Sequence, residues 1–111
     1  MKIKVNHNSA PEKIAEKIPS GIMKIIDNVG NTEVTVSDIL YDLKGTRLNF
    51  SFKASYDEHC VSVKGKMDIL RNCVIMNINL PMVALLFVKS DEIKKVITKK
   101  LIEFIQNEEA V

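Results

Sequence analysis

The chain has 111 residues, 46% of them hydrophobic and 27% charged, and a formal net charge of +2. This composition excludes a disordered chain, and the length fits a single domain over residues 1–111. The net charge is smaller than the large basic excess that nucleic-acid binders carry. The longest apolar run, residues 80–88, is too short for a transmembrane segment, which needs about 20 apolar residues.

An opening strand is predicted over residues 2–7, where apolar and polar side chains alternate. A helix follows, with Pro11 in its first turn, where the missing N–H costs little. Pro19 and Gly21 interrupt this segment, but the apolar stripe keeps its phase across them. One kinked helix is therefore expected, not two, and Gly30 is expected to end it. The stripe contains Ile14, Ile18, Ile22, Ile25, Ile26 and Val29.

Four strands are predicted next, over residues 32–40, 46–56, 59–70 and 72–80. In the last three, apolar side chains recur at every second position, which indicates an antiparallel sheet with one buried and one solvated face. The first strand loses this pattern near Asp38. Tight turns at residues 57–58 and 71–72 would place Phe52 opposite Val63, and Gly65 opposite both Phe50 and Ile78. Every apolar side chain would then lie beside an apolar neighbour, so this register is favoured.

A long helix is predicted from about Pro81 to Gln106, with lysines on its polar side. At about 1.5 Å per residue it is as long as a strand of about ten residues, so it is able to cover the sheet. The predicted fold is therefore α+β in the order β-α-β-β-β-β-α. An antiparallel meander is covered on one face by this helix and by the kinked N-terminal helix. The apolar stripe contains Leu85, Leu86, Ile93, Val96, Ile97, Leu101, Phe104 and Ile105.

The sequence contains no catalytic motif and no metal-ligand spacing, so neither an enzyme nor a cofactor is predicted. His59 and Cys60 are neighbours in a strand, so their side chains point to opposite faces and do not form a nucleophile–base pair. The predicted register places Cys60 opposite Ser55 and Cys73 opposite Leu70, too far apart for a disulfide. Reduced cysteines and the polar N-terminal sequence predict a cytoplasmic protein.

Gly65 is unusual because it lies in mid-strand on the predicted buried face, where glycine weakens a sheet. Either a bulge or a closely packed helix accounts for it, or it leaves a hollow that admits an apolar ligand. The hollow would be lined by Phe50, Phe52, Gly65, Ile78 and Leu86.

The start of the last predicted helix is apolar on all sides. The sheet can cover only one of these sides, so the opposite side needs another partner. Three alternatives stay open: self-association, cover by the first helix, and docking on a lipid or polymer surface. The predicted interaction surface consists of Met82, Val83, Leu85, Phe87 and Val88. Nucleic acid is not an expected partner, because the lysines are not interleaved with stacking aromatics.

Three stretches resemble the bacterial polyhydroxyalkanoic acid system protein family. They are residues 48–52 (Leu-Asn-Phe-Ser-Phe), 63–67 (Val-Lys-Gly-Lys-Met) and 74–81, which runs from a strand into Leu-Pro. The likeness extends over about residues 5–105. It implies a small protein linked to storage-polyester metabolism, with no assigned reaction. The positions that match the family pattern are His7, Phe50, Ser51, Gly65, Leu80 and Pro81.

Two functions are therefore expected from different classes. The first is a non-enzymatic accessory protein that forms a homo-oligomer and contacts a polyester granule or a lipid-like surface. The alternative is a small apolar-ligand or lipid carrier, by analogy with helix-grip folds. An enzyme would have to rely on His7 or His59, because the sequence offers no other conventional general base.

Overall fold

The computed structural model describes residues 1–27, 34–56, 58–80 and 90–109. It shows an α+β fold with a five-stranded, fully antiparallel sheet and two helices, in the predicted order. The elements are β1 (Lys2–Asn6), α1 (Pro11–Asp27), β2 (Val34–Lys44), β3 (Arg47–Tyr56), β4 (His59–Ile69), β5 (Cys73–Asn79) and α2 (Ser90–Glu109).

The strands lie side by side in the order β1-β5-β4-β3-β2. The predicted register of the central hairpins is confirmed: Phe52 lies opposite Val63, and Gly65 lies between Phe50 and Ile78. The opening strand β1 joins the sheet beside β5, with Ile3 opposite Met76. The sequence predicted this strand but not its partner, because alternation defines a face and does not define a neighbour.

The chain buries one face of the sheet, called here the buried face, and exposes the other, called the open face. Side chains of all five strands on the buried face join those of α1 and α2 in one hydrophobic core. Helix α1 packs against β2, β4 and α2, and α2 packs against β1. The core strand residues include Ile3, Val5, Val34, Leu48, Phe50, Phe52, Val63, Met67, Ile69, Val74, Met76 and Ile78.

Helix α1 runs through Pro19 without a break, which confirms one helix in this segment. The kink expected at Pro19 stays a prediction, and the end of the helix expected at Gly30 lies outside the described residues. Gly21 lies where the two helices meet: a Cβ atom placed there would lie 2.5 Å from Cε2 of Phe104. Glycine at this position therefore allows the backbone of α1 to approach α2 closely.

The edge strand β2 contains a bulge where its sequence pattern fails. Ser37 lies opposite Lys53 and Leu40 opposite Ser51, so two residues of β2 face the single residue Phe52. The first of the two, Asp38, has a positive φ of 52°. After the bulge β2 continues to Lys44, beyond the predicted end at residue 40. Bulges of this kind increase the local twist and hinder the pairing of an edge with another chain.

Helix α2 begins at Ser90 in the described part of the chain; the start predicted near Pro81 lies outside the described residues. Its buried stripe recurs every four residues, as expected for one side of a helix. Val96, which the sequence placed in this stripe, is exposed. The buried residues are Ile93, Ile97, Leu101 and Ile105.

Candidate functional site

The predicted pocket residues on the buried face lie together, but the ring of Phe50 fills the space above Gly65. Phe50 is 4% exposed, and a Cβ atom placed on Gly65 would overlap its Cζ atom. An aromatic residue that covers a cross-strand glycine restores the packing that the glycine lacks. The glycine therefore accommodates a neighbouring ring, and not the bulge, closely packed helix or open hollow that the sequence suggested.

The rest of the predicted pocket is only partly described. Phe52 and Ile78 are both buried in the same hydrophobic core: Phe52 lies two residues from Phe50 on β3, and Ile78 lies opposite Gly65 on β5. Leu86 lies outside the described residues, as do all five residues of the predicted interaction surface. The ligand-binding role of this pocket stays a prediction, and the Phe50 ring occupies the space above Gly65 that a ligand was expected to fill.

His7 is the one polar residue among the buried described residues, and it joins two parts of the fold. Its Nε2 atom lies 2.8 Å from the carbonyl oxygen of Leu70, at the end of β4. Its Nδ1 atom accepts a hydrogen bond of 3.1 Å from the backbone N–H of Ser9, just before α1. A neutral ring with its proton on Nε2 makes both bonds at once. His7 thus fixes the connection between β1 and α1 onto the β4–β5 hairpin.

The other candidate groups are dispersed. His59 and Cys60 are both exposed at the start of β4, and Cys60 lies opposite Ser55, as predicted. Both cysteines are free thiols, and the backbone N–H of Leu70 donates to the carbonyl of Cys73 across the tight turn. Among the described residues, no group of three or more His, Cys, Asp or Glu side chains is placed to hold a metal ion.

The exposed side of α2 carries a groove of about 560 Å³ with a mostly apolar surface. Ile102, which is 37% exposed, lines it together with Thr98, one turn earlier on the helix. The carbon chains of lysines that border it add apolar surface while their ammonium groups reach solvent. The sequence predicted a polar helix side with lysines here and gave no indication of a groove. Its lining residues are Asp91, Lys94, Lys95, Thr98, Lys99, Ile102 and Glu103.

The open face of the sheet carries three further hollows, each bordered by Lys64. They have volumes of about 350, 380 and 330 Å³. The sequence predicted a solvated polar face here, which is confirmed for the described residues, but not its concave shape. The depth of these hollows depends on the orientation of the long side chains around Gly65. Alternation of apolar and polar residues in the sequence contains no information about that orientation.

A scan against protein-family models finds no match for this chain, and a search of curated proteins finds none either. Within the described residues, neither helix is both long and apolar enough to cross a membrane.

The bonds of His7 predict a structural role that a substitution tests. His7→Phe keeps an aromatic ring but leaves the Leu70 carbonyl and the Ser9 N–H without their partner in a partly buried site. Each unsatisfied group costs about 1–3 kcal/mol, so the free energy of unfolding is expected to fall by about 2–4 kcal/mol. Urea unfolding measures this change. His59→Phe, at an exposed histidine, serves as the control and is expected to change stability by less than about 1 kcal/mol. Equal effects of the two substitutions would contradict this role.

The contact between Phe50 and Gly65 predicts a strong coupling between the two positions. Gly65→Ala is expected to destabilise the protein by about 1–3 kcal/mol, because the new methyl group overlaps the confined ring. In the Phe50→Leu background the same change is expected to cost at least about 1 kcal/mol less, since the shorter side chain leaves room. A double-mutant cycle by urea unfolding gives this coupling energy. A coupling near zero would show that the ring does not rest on Gly65.

Proposed function

We propose that this chain is a non-enzymatic accessory protein that associates with itself and works in the cytoplasm. The apolar groove along the exposed side of α2 is the observation that supports this proposal best. Exposed apolar surface of this kind marks places where proteins contact one another. Ile102 is the one large aliphatic side chain among the described residues that line the groove, and the charged residues that border it keep the surface soluble until a partner covers it.

The predicted interaction surface at residues 82–88 immediately precedes α2 in the sequence, so both would contribute to one contact. Helices that associate through such surfaces bury an apolar centre and leave a charged rim in solvent. The lysines and acidic residues that border the groove supply charges of both signs for this rim. We therefore propose a second copy of the chain as the partner on this side.

The setting of this function follows from the resemblance to polyhydroxyalkanoic acid system proteins and is part of the proposal. In that setting the associated protein would contact polyester or lipid-like material through the apolar residues 82–88. The role of His7 supports a non-enzymatic function, because both of its ring nitrogens already make structural hydrogen bonds. A general base needs a ring nitrogen that reaches its substrate.

The alternative function, a carrier of small apolar ligands, has less support. The residues proposed to line its pocket are buried, and the ring of Phe50 occupies the space that Gly65 was expected to leave open. A carrier would need that ring to turn aside when the ligand enters. Native mass spectrometry of the purified protein detects a retained ligand and the number of subunits in a single measurement.

Self-association through α2 predicts that a charge on the apolar surface of the groove weakens it. Ile102→Glu is expected to raise the dissociation constant of the oligomer at least about tenfold, because the new carboxylate must lose its water when the apolar contact forms. Asn107→Glu adds the same charge at an exposed position outside the groove and should leave the constant within about twofold. Light scattering coupled to size-exclusion chromatography, run over a range of concentrations, measures both.

Two further results decide the wider proposal. Phe87→Ser is expected to weaken oligomers and to reduce retention on polyester particles or phospholipid vesicles, as the predicted interaction surface requires. A wild-type protein that stays strictly monomeric at all concentrations, and that binds neither particles nor vesicles, would rule out the proposed function.

A further inference from the structure

Two of the hollows on the open face form a trough that crosses the strands. One wall is a row of side chains that are direct cross-strand neighbours, and the second wall is the next such row, two residues further along each strand. The backbone around Phe50, Gly65 and Ile78 lies between them as the floor. We call this feature the open-face trough. The first wall contains Asp42, Asn49, Lys66, Asn77 and Lys2; the second contains Leu40, Ser51, Lys64 and Asn79.

The dimensions of the open-face trough suit one extended chain. Residues two apart on a strand are about 7 Å apart, which sets the distance between the walls. Five strands at about 4.8 Å spacing give a length of about 19 Å. Two hollows of about 350 and 380 Å³ lie along this length, and they adjoin at the centre because both are bordered by Asn49, Lys64 and Gly65.

Positive charge without a partner lies at the centre of the open-face trough. The acidic residues Asp38, Asp42 and Asp68 each form an ion pair with a neighbouring lysine or arginine, at distances of 3.4, 3.7 and 2.7 Å. Lys64 and Lys66 are exposed, one on each wall, and neither forms an ion pair with another described residue. An anionic group placed between them would meet two ammonium groups and no competing carboxylate.

The neighbours of these lysines favour a peptide over other anionic chains. Asn77 and Asn79 on one side, and Asn49 and Ser51 on the other, both donate and accept hydrogen bonds, as a peptide backbone requires. Phosphate groups only accept, and the bases of a single-stranded nucleic acid need aromatic rings for stacking. The rings of Phe50 and Phe52 point to the buried face, so they are not available to bases.

We propose that the open-face trough binds an extended acidic peptide segment of another protein. An acidic side chain of that segment lies between Lys64 and Lys66, and its backbone amides pair with the asparagines. An apolar side chain contacts Leu40, which is 67% exposed at the β2 end of the trough. This partner is distinct from the second copy proposed for α2, because the two surfaces lie on opposite sides of the sheet.

The test uses the six-residue peptide Ser-Glu-Val-Glu-Leu-Gly carrying fluorescein, which is about 20 Å long when extended. Fluorescence anisotropy of the full chain with this peptide is expected to show saturable binding that weakens as salt is added. The double variant Lys64→Gln/Lys66→Gln is expected to bind at least tenfold more weakly. Lys13→Gln/Lys24→Gln removes the same charge from α1 and is expected to stay within twofold of wild type.

Four results would overturn the proposal. The first is an absence of saturable binding to the wild type, and the second is unchanged binding by the Lys64→Gln/Lys66→Gln variant. The third is equal binding of a peptide with glutamine in place of both glutamates. The fourth is binding of oligothymidylate or of anionic phospholipid vesicles through the same lysines while the peptide fails to bind. Circular dichroism of each variant confirms that its fold is retained, and exposed lysines are suitable for this comparison.

Discussion

The structure depends on the fact that only one face of a five-stranded antiparallel sheet is buried. Successive side chains on a strand point to opposite faces, so a shift of one residue in any hairpin would exchange the core with the solvated surface. Such a shift would greatly lower the free energy of unfolding, because burial of one large aliphatic side chain contributes about 1.5–3 kcal/mol. The two helices complete this core, and the glycine at their crossing, Gly21, allows them to approach closely.

Much of this architecture follows from the amino-acid sequence. The two-residue alternation of β3, β4 and β5 was sufficient to predict both hairpin registers, down to the neighbours of Gly65. The loss of the pattern near Asp38 also had a physical cause, a bulge in the edge strand. The position of β1 beside β5 was not predictable in the same way, since pairing between distant segments depends on the whole sheet. Predictions for residues 81–89 lie outside the described part of the chain.

The candidate sites were harder to predict than the fold. Gly65 drew attention as a glycine on the buried face, but its role depends on the orientation of one ring, that of Phe50. His7 matched a family pattern, yet its function as a link between β1, α1 and the β4–β5 hairpin depends on two backbone groups far apart in sequence. The groove on α2 and the trough on the open face both arise from side-chain lengths, which periodicity does not report. Together they are the two separate surfaces that we propose for partners, around a core that serves stability.

The division of the sheet into a buried and an open face is tested most directly by thiol labelling of two adjacent positions. Cys60 and Cys73 are first replaced by serine, and Ser62→Cys or Val63→Cys is then introduced on β4. The side chain of Ser62 lies on the open face, whereas Val63 is 2% exposed. The cysteine at position 62 is expected to react almost as fast as in an unfolded peptide. The cysteine at position 63 is expected to react at least about a hundredfold more slowly, because its reaction requires opening of the structure. Equal rates, or faster labelling at position 63, would contradict the account.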